Sequence, residues 1–186
     1  RKSSSRSLAS GSTTLDRQRE LLTACKALAT VPTWQEIGGR LQLSCPLMIE
    51  GAIVEGLELR GTALLRRPDR EVMLGLIYAP AGPRGGMFER VDAWPLRRHC
   101  NTGRGPKKLR FRTIDPGVSH RHDLEHNAHL GVDGLLGRLE FAEPLDPQPE
   151  SWAALWDLVC ALWHIDRDPG LAPPPWTGDL FPDAAT

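Results

Sequence analysis

Leu57-Glu58-Leu59-Arg60-Gly61-Thr62-Ala63-Leu64-Leu65-Arg66 is the stretch that decides the fold. Leu57, Leu59, Gly61, Ala63 and Leu65 fall on one side of a period-two repeat, and Glu58, Arg60, Thr62, Leu64 and Arg66 fall on the other, which describes a strand with one more polar face. The pattern resumes at Val72, Leu74, Leu76 and Tyr78 after Arg67-Pro68-Asp69-Arg70, a turn in which Pro68 fixes its own φ and Asp69 bonds to nearby backbone. With Leu47 to Val54 in front, three consecutive strands are predicted. Their connections are too short for parallel crossovers, so they must be antiparallel.

Further strands are expected outward from this core. Met87 to Ala93 reads as a fourth, and Lys108 to Asp115 as another, with Leu109, Phe111 and Thr113 on one face and Lys108, Arg110 and Arg112 on the other. Gly137 to Phe141 suggests a short edge strand. Between Pro95 and Pro106 the chain is basic and glycine-containing, which suits an exposed functional loop.

Helices are expected at both ends. Leu21, Leu22, Cys25, Leu28 and Ala29 recur at helical spacing after a cap at Thr13 or Thr14. Pro32 ends that helix, and the capping-box spacing of Thr33 and Glu36 predicts a short helical turn over Trp34 to Ile37, stopped by Gly38-Gly39. A final helix over Ser151 to Ile165 aligns Trp152, Leu155, Trp156, Val159, Leu162 and Trp163 in one stripe that must pack on the sheet.

The fold class expected is therefore α+β, an antiparallel sheet of about four to six strands packed by an N-terminal and a C-terminal helix. The 186 residues fit one domain. Its expected organisation is a disordered tail over 1–12, the α+β domain over 13–168, and an extended proline-rich tail over 169–186. That last tail carries Pro173-Pro174-Pro175-Trp176 and Leu180-Phe181, which would clamp along the body or engage a protein partner.

Composition narrows the setting. No stretch approaches the run of roughly 18 to 20 apolar residues that a membrane span requires, and Arg1 to Thr14 has no apolar signal-peptide core. Cys25, Cys45, Cys100 and Cys160 stand singly without a CxxC pair, which points to a reducing, cytoplasmic compartment. Net charge is zero but unevenly spread: eight bases against Asp92 alone between Arg90 and Arg112, and nine acids against Arg167 alone after Leu139. Either the acidic end docks on the basic region or the basic region awaits nucleic acid or another polyanion.

Four of the six histidines fall within ten residues, at His120, His122, His126 and His129. Ser119 can cap and Gly131 can end a helix that would align His122, His126 and His129 along one stripe. Alternatively, His120 and His122, two apart, would share a strand face. Imidazoles gathered this way suit zinc or another divalent transition metal, with Asp115, Asp123, Glu125, His99 or Cys100 completing the shell. Metal-free acid–base work by one or two of the same rings is physically sensible at neutral pH, and the plainer alternative is that these polar histidines line a solvated face and bond to neighbouring acids. HExxH and phosphate-loop spacings are absent.

The functional expectation is a phosphate-directed hydrolase, most concretely a small nuclease. His122, His126 and His129 would be catalytic residues or metal ligands beside Asp123 and Glu125, while Lys107, Lys108, Arg110 and Arg112 hold phosphate. The competing expectation is a non-catalytic nucleic-acid- or protein-interaction module.

Overall fold

The structure is a computed structural model that describes residues 5–67, 69–80, 86–131 and 139–177, with side chains of the first helix described from Thr14 onward. Helix α1 spans Ser5–Thr23 and is followed by strands β1 (Ala27–Leu28), β2 (Gln35–Ile37), β3 (Arg40–Ile49), β4 (Ala52–Leu64), β5 (Val72–Tyr78) and β6 (Gly86–Ala93). Then come β7 (His99–Cys100), β8 (Thr113–Ile114), β9 (His120–His122), the short helix α2 (Leu124–Ala128), β10 (Glu143–Pro144) and helix α3 (Trp152–Trp163). Eight strands form one antiparallel sheet in the order β1-β3-β4-β5-β6-β9-β10, with β2 paired to β3, and β7 and β8 form a separate two-stranded ribbon.

Terminal helices on a large antiparallel sheet are what the periodicities imply, but the expected four to six strands become eight. The excess comes from β1, β2, β9 and β10, each only two or three residues long, too short for alternation to register. Among them, β2 replaces the expected helical turn over Trp34 to Ile37. Gly38 and Gly39 both take positive φ, 61° and 76°, which makes a two-residue hairpin turn and pairs Ile37 with Arg40. Likewise Glu50-Gly51, φ 52° and 78°, folds the segment expected as one strand over Leu47 to Val54 into the β3–β4 hairpin.

The strand expected over Lys108 to Asp115 shrinks to Thr113–Ile114. Residues 107–111 form turns, and Phe111, at φ +56°, cannot continue a ladder. Of the expected edge strand over Gly137 to Phe141, residues 137 and 138 lie outside the described residues, and 139–141 are not strand.

One face of the sheet holds the core. Leu41, Leu43, Cys45 and Leu47 of β3, Leu57, Leu59 and Ala63 of β4, and Val72, Leu74 and Leu76 of β5 are buried in one cluster with Leu21 of α1 and Leu155, Val159 and Trp163 of α3. The Ser151 side chain caps α3 by accepting from the Ala154 N–H. Helix α1 ends earlier than the expected Ala29, because the Lys26 ammonium folds back to donate to the carbonyls of Leu21 (2.6 Å), Leu22 (3.0 Å) and Ala24 (2.5 Å). Those are the carbonyls a helix C-terminus leaves without partners.

Cys45 and Cys160 are buried, whereas Cys25 and Cys100 are exposed. The described part of the C-terminal segment lies along the body. Trp34 and Trp152 donate to the carbonyls of Ala172 (3.0 Å) and Leu171 (2.8 Å), and Trp176 packs edge-on against Trp152. Leu180-Phe181 lies outside the described residues. No described helix is long and apolar enough to cross a membrane.

Candidate metal centre

Register builds the site. Strands β6 and β9 are antiparallel neighbours in which Arg90 lies opposite His122, Val91 opposite Arg121 and Asp92 opposite His120. Because side chains alternate across a strand, Arg90, Asp92, His120 and His122 share one face, while Glu89, Val91 and Arg121 share the helix-covered face. The β7–β8 ribbon then delivers His99 to the first group. Its ring centroid lies 5.1 Å from that of His120 and 4.9 Å from that of His122, and the latter two are 5.3 Å apart. One candidate ligand atom from each of the three rings falls within 4.8 Å of the others. Around a tetrahedral zinc such nitrogens stand about 3.3 Å apart, so closing on an ion takes a contraction of roughly 1.5 Å at most.

Hydrogen bonds set the rings' proton positions. The Asn101 amide orientation is fixed, since its Nδ2 donates to the carbonyls of Leu109 and Ala142 (3.0 Å each) and its Oδ1 accepts the Ala142 N–H. His99 Nε2 faces that Oδ1 at 2.9 Å and the Glu140 carbonyl at 3.1 Å, so Nε2 carries the hydrogen and Nδ1 the lone pair. His120 Nδ1 faces the Val118 carbonyl at 3.1 Å and donates to it, leaving Nε2 toward Asp92 Oδ2 at 3.3 Å. A ring that gives one N–H to a carbonyl and presents its other nitrogen inward has the form of a metal ligand with its outer support in place.

His122 is fully buried and differs from the other two. Its Nε2 accepts from Arg90 Nη2 at 2.6 Å and lies 3.1 Å from Asp92 Oδ2, while its Nδ1 has no hydrogen-bond partner. Arg90 Nη2 is also 3.0 Å from Asp92 Oδ2. A cationic nitrogen therefore stands between a ring lone pair and a carboxylate.

Burial holds the His99 ring below its ordinary pKa, helped by the neighbouring His120 and the Arg90 charge. Burial likewise pushes His122 down to about 4, against the pull of Asp92 and with the Arg90 charge in support. For Asp92 burial acts upward, but the adjacent His120 and His122 rings and the Arg90 charge outweigh it and hold the carboxyl well below the usual range. At neutral pH His99 and His122 are uncharged and Asp92 is ionised, the states in which imidazole and carboxylate bind metals.

The centre opens into a cavity of about 370 Å³ whose wall includes Asp92, His99 and His120 together with Arg40, Arg90, Arg97 and Arg98. On the opposite face of the same strands, Glu89 is fully buried. It receives Arg121 Nε (2.8 Å) and Nη2 (3.0 Å), the Leu124 N–H (2.7 Å) and Trp163 Nε1 (3.2 Å). Burial raises the Glu89 carboxyl and these donors oppose it. Since every contact is a donor, the ionised form is the one that fits.

The residues singled out from sequence are divided by this arrangement. His122 is in the cluster, but it belongs to β9 with His120, and α2 begins only at Leu124, so the expected single helical stripe of His122, His126 and His129 does not form. The cap is Asp123 rather than Ser119; its Oδ1 accepts the N–H groups of Glu125 and His126, and its Oδ2 lies 3.2 Å from Arg121. Glu125 is held bidentately by Arg19 at 2.7 Å for both contacts. His126 lies 3.7 Å from Asp123 and 3.9 Å from Glu143, and His129 is exposed at the end of α2.

Lys107, Lys108, Arg110 and Arg112 are exposed on the loop between β7 and β8, with Lys108 paired to Glu143 (3.0 Å) and Arg110 Nε donating to the Gly105 carbonyl. Asp92 and Arg90 escaped sequence reasoning. Their two-residue spacing, matched by that of His120 and His122, was the available signal.

No protein-family model matches this chain, and comparison with curated proteins and with solved structures finds no match either.

Proposed function

We propose that the chain is a small phosphodiester hydrolase, most concretely a nuclease, whose centre is a divalent transition-metal site formed by His99, His120 and His122. One observation carries this reading: two buried imidazoles, a half-buried third and an ionised carboxylate converge beside a cavity that four arginines also line. Imidazole donors suit zinc and its neighbours, and guanidinium forks suit phosphate.

A bound ion would activate water and stabilise charge on the transferred phosphorus. The protein's own residues do the rest. His99 and His120 are pre-oriented by carbonyls, Asp92 is placed to orient the attacking water, and Arg97 and Arg98 neutralise the phosphate. His99, His120 and His122 would hold the ion, and Arg90, whose Nη2 lies 2.6 Å from His122 Nε2, supplies a further cation beside the phosphate. Lys107, Lys108, Arg110 and Arg112 lie outside the cavity and suit the flanking phosphates. Four unpaired thiols fit a cytoplasmic setting.

The competing reading, a non-catalytic interaction module, accounts for the basic loop but not for the buried imidazoles. Trp176 is already engaged with Trp152, which weakens the tail as a protein-docking element. Metal-supplemented cleavage of fluorogenic oligonucleotides tests the proposal. His120→Ala should lower kcat/KM at least about 100-fold, and His129→Ala should leave it unchanged. Absence of metal-dependent cleavage, or full activity in His120→Ala, would defeat it.

A further inference from the structure

The loop joining β7 to β8 is rigid on its inner side. Leu109 is fully buried, Asn101 ties the Leu109 carbonyl to that of Ala142, and Gly105 lies so close to the Phe141 ring that a Cβ there would stand 2.4 Å from it. On the outer side Phe111 is 77% exposed, and its backbone is left-handed at φ +56°. That conformation costs a non-glycine residue about 1–2 kcal/mol, and an exposed phenyl recovers little of it through burial. Strain of this kind held by a well-packed loop points to function.

The ring is nevertheless positioned. Its Cζ lies 2.4 Å from where a Cβ on Gly103 would be, so the phenyl is seated over glycine backbone and only glycine permits it. Arg104, Lys107, Arg110 and Arg112 are exposed on the same loop.

This ring also has a fixed relation to the centre. The ribbon pairs His99 with Ile114 and Cys100 with Thr113, and beyond its end Asn101 N–H donates to the Arg112 carbonyl (3.0 Å) and Phe111 N–H to the Thr102 carbonyl (3.4 Å). Phe111 is thus three residues from Ile114, the ladder partner of His99, a span of at most about 11 Å of chain.

We propose that Phe111 is a base-stacking residue for single-stranded nucleic acid, with the cations of its loop following the backbone; the inference rests on the phosphodiesterase reading for the chemical class of its ligand. Every base offers a π-face to such a ring, and a duplex keeps those faces inside its own stack. The ring therefore selects unpaired strands, whereas the cations alone would take any polyanion.

Fluorescence anisotropy of the full chain in EDTA, where no metal-dependent turnover occurs, tests this with labelled oligo-dT, oligo-U, a duplex and heparin. Phe111→Ala should weaken binding of one or both single strands by about 5- to 150-fold, Phe111→Trp should retain it, and duplex and heparin binding should not change. Gly103→Ala, which displaces the ring without removing it, should reproduce the single-strand loss. Unchanged single-strand binding in Phe111→Ala, an equal loss on heparin, or no single-strand binding by the wild type would overturn the proposal. Because binding is read without turnover, Phe111-dependent binding without cleavage would sustain this proposal and defeat the hydrolase, and cleavage without Phe111 dependence would do the reverse.

Discussion

Strands β6 and β9 carry two polar clusters, back to back, and they differ in how completely they are satisfied. On the helix side, both oxygens of Glu89 are filled by Arg121, Leu124 and Trp163 donors, tying α2 and α3 to the sheet. On the cavity side, Asp92 serves His120, His122 and Arg90 through a single oxygen, Oδ2, while His122 Nδ1 and Arg90 Nε are buried without partners. A fully satisfied network specifies structure; a buried set with orphaned nitrogens is expensive for the fold and is retained for something else. The same two-residue alternation thus separates an anchor from a working site across one backbone.

Breaking the anchor should have the largest effect. Glu89→Ala leaves two buried N–H donors without their acceptor and Arg121 with Asp123 alone, and should lower unfolding free energy by about 3–5 kcal/mol. Asp92→Ala, on the partly open side where Arg90 keeps His122 Nε2 as an acceptor, should cost no more than about 1–2 kcal/mol. Urea titration of both variants checks the contrast, and equal losses would erase the distinction between the two clusters.

Acid should act on the cavity side. In metal-free protein the unfolded chain takes up a proton on His122 near pH 6.5, whereas the native ring resists it down to about 4. Across that window the unfolded state binds more protons, so stability falls as pH falls, by roughly 3 kcal/mol from this group. His99 contributes in the same direction, and Asp92, held low, extends the loss below about pH 4. Urea midpoints at pH 7, 5.5 and 4.5 should show this slope in the wild type and a flatter one in His122→Phe. An unchanged slope in that variant would remove His122 as its source.

Long elements were legible because their periodicity runs over many residues. The alternation of β4 and β5 and the stripe Leu155, Trp156, Val159 and Trp163 of α3 correspond to buried residues in the structure. Two-residue turns were harder. Gly38-Gly39 reads equally as a helix stop and as a hairpin turn, and the choice is made by pairing with β3, a contact no local pattern encodes. At the site, spacing three and four apart favoured a helix for His122, His126 and His129. Pairing with β6 instead held His120 to His122 extended, and the Asp123 cap started α2 after them. His99 was a nameable loop candidate, but its arrival depends on the β7–β8 ribbon, and Asp92 and Arg90 enter only through the register of β6 on β9. Chemistry was readable as residue types; convergence was tertiary.

Zinc binding by the full chain, titrated against a competing chelator, tests the central claim most directly. The wild type should take up one equivalent, His99→Ala and His120→Ala should lose it, and His126→Ala and His129→Ala should bind as the wild type does. No binding by the wild type, or loss of binding in the His126 or His129 variants alone, would contradict a centre built from His99, His120 and His122.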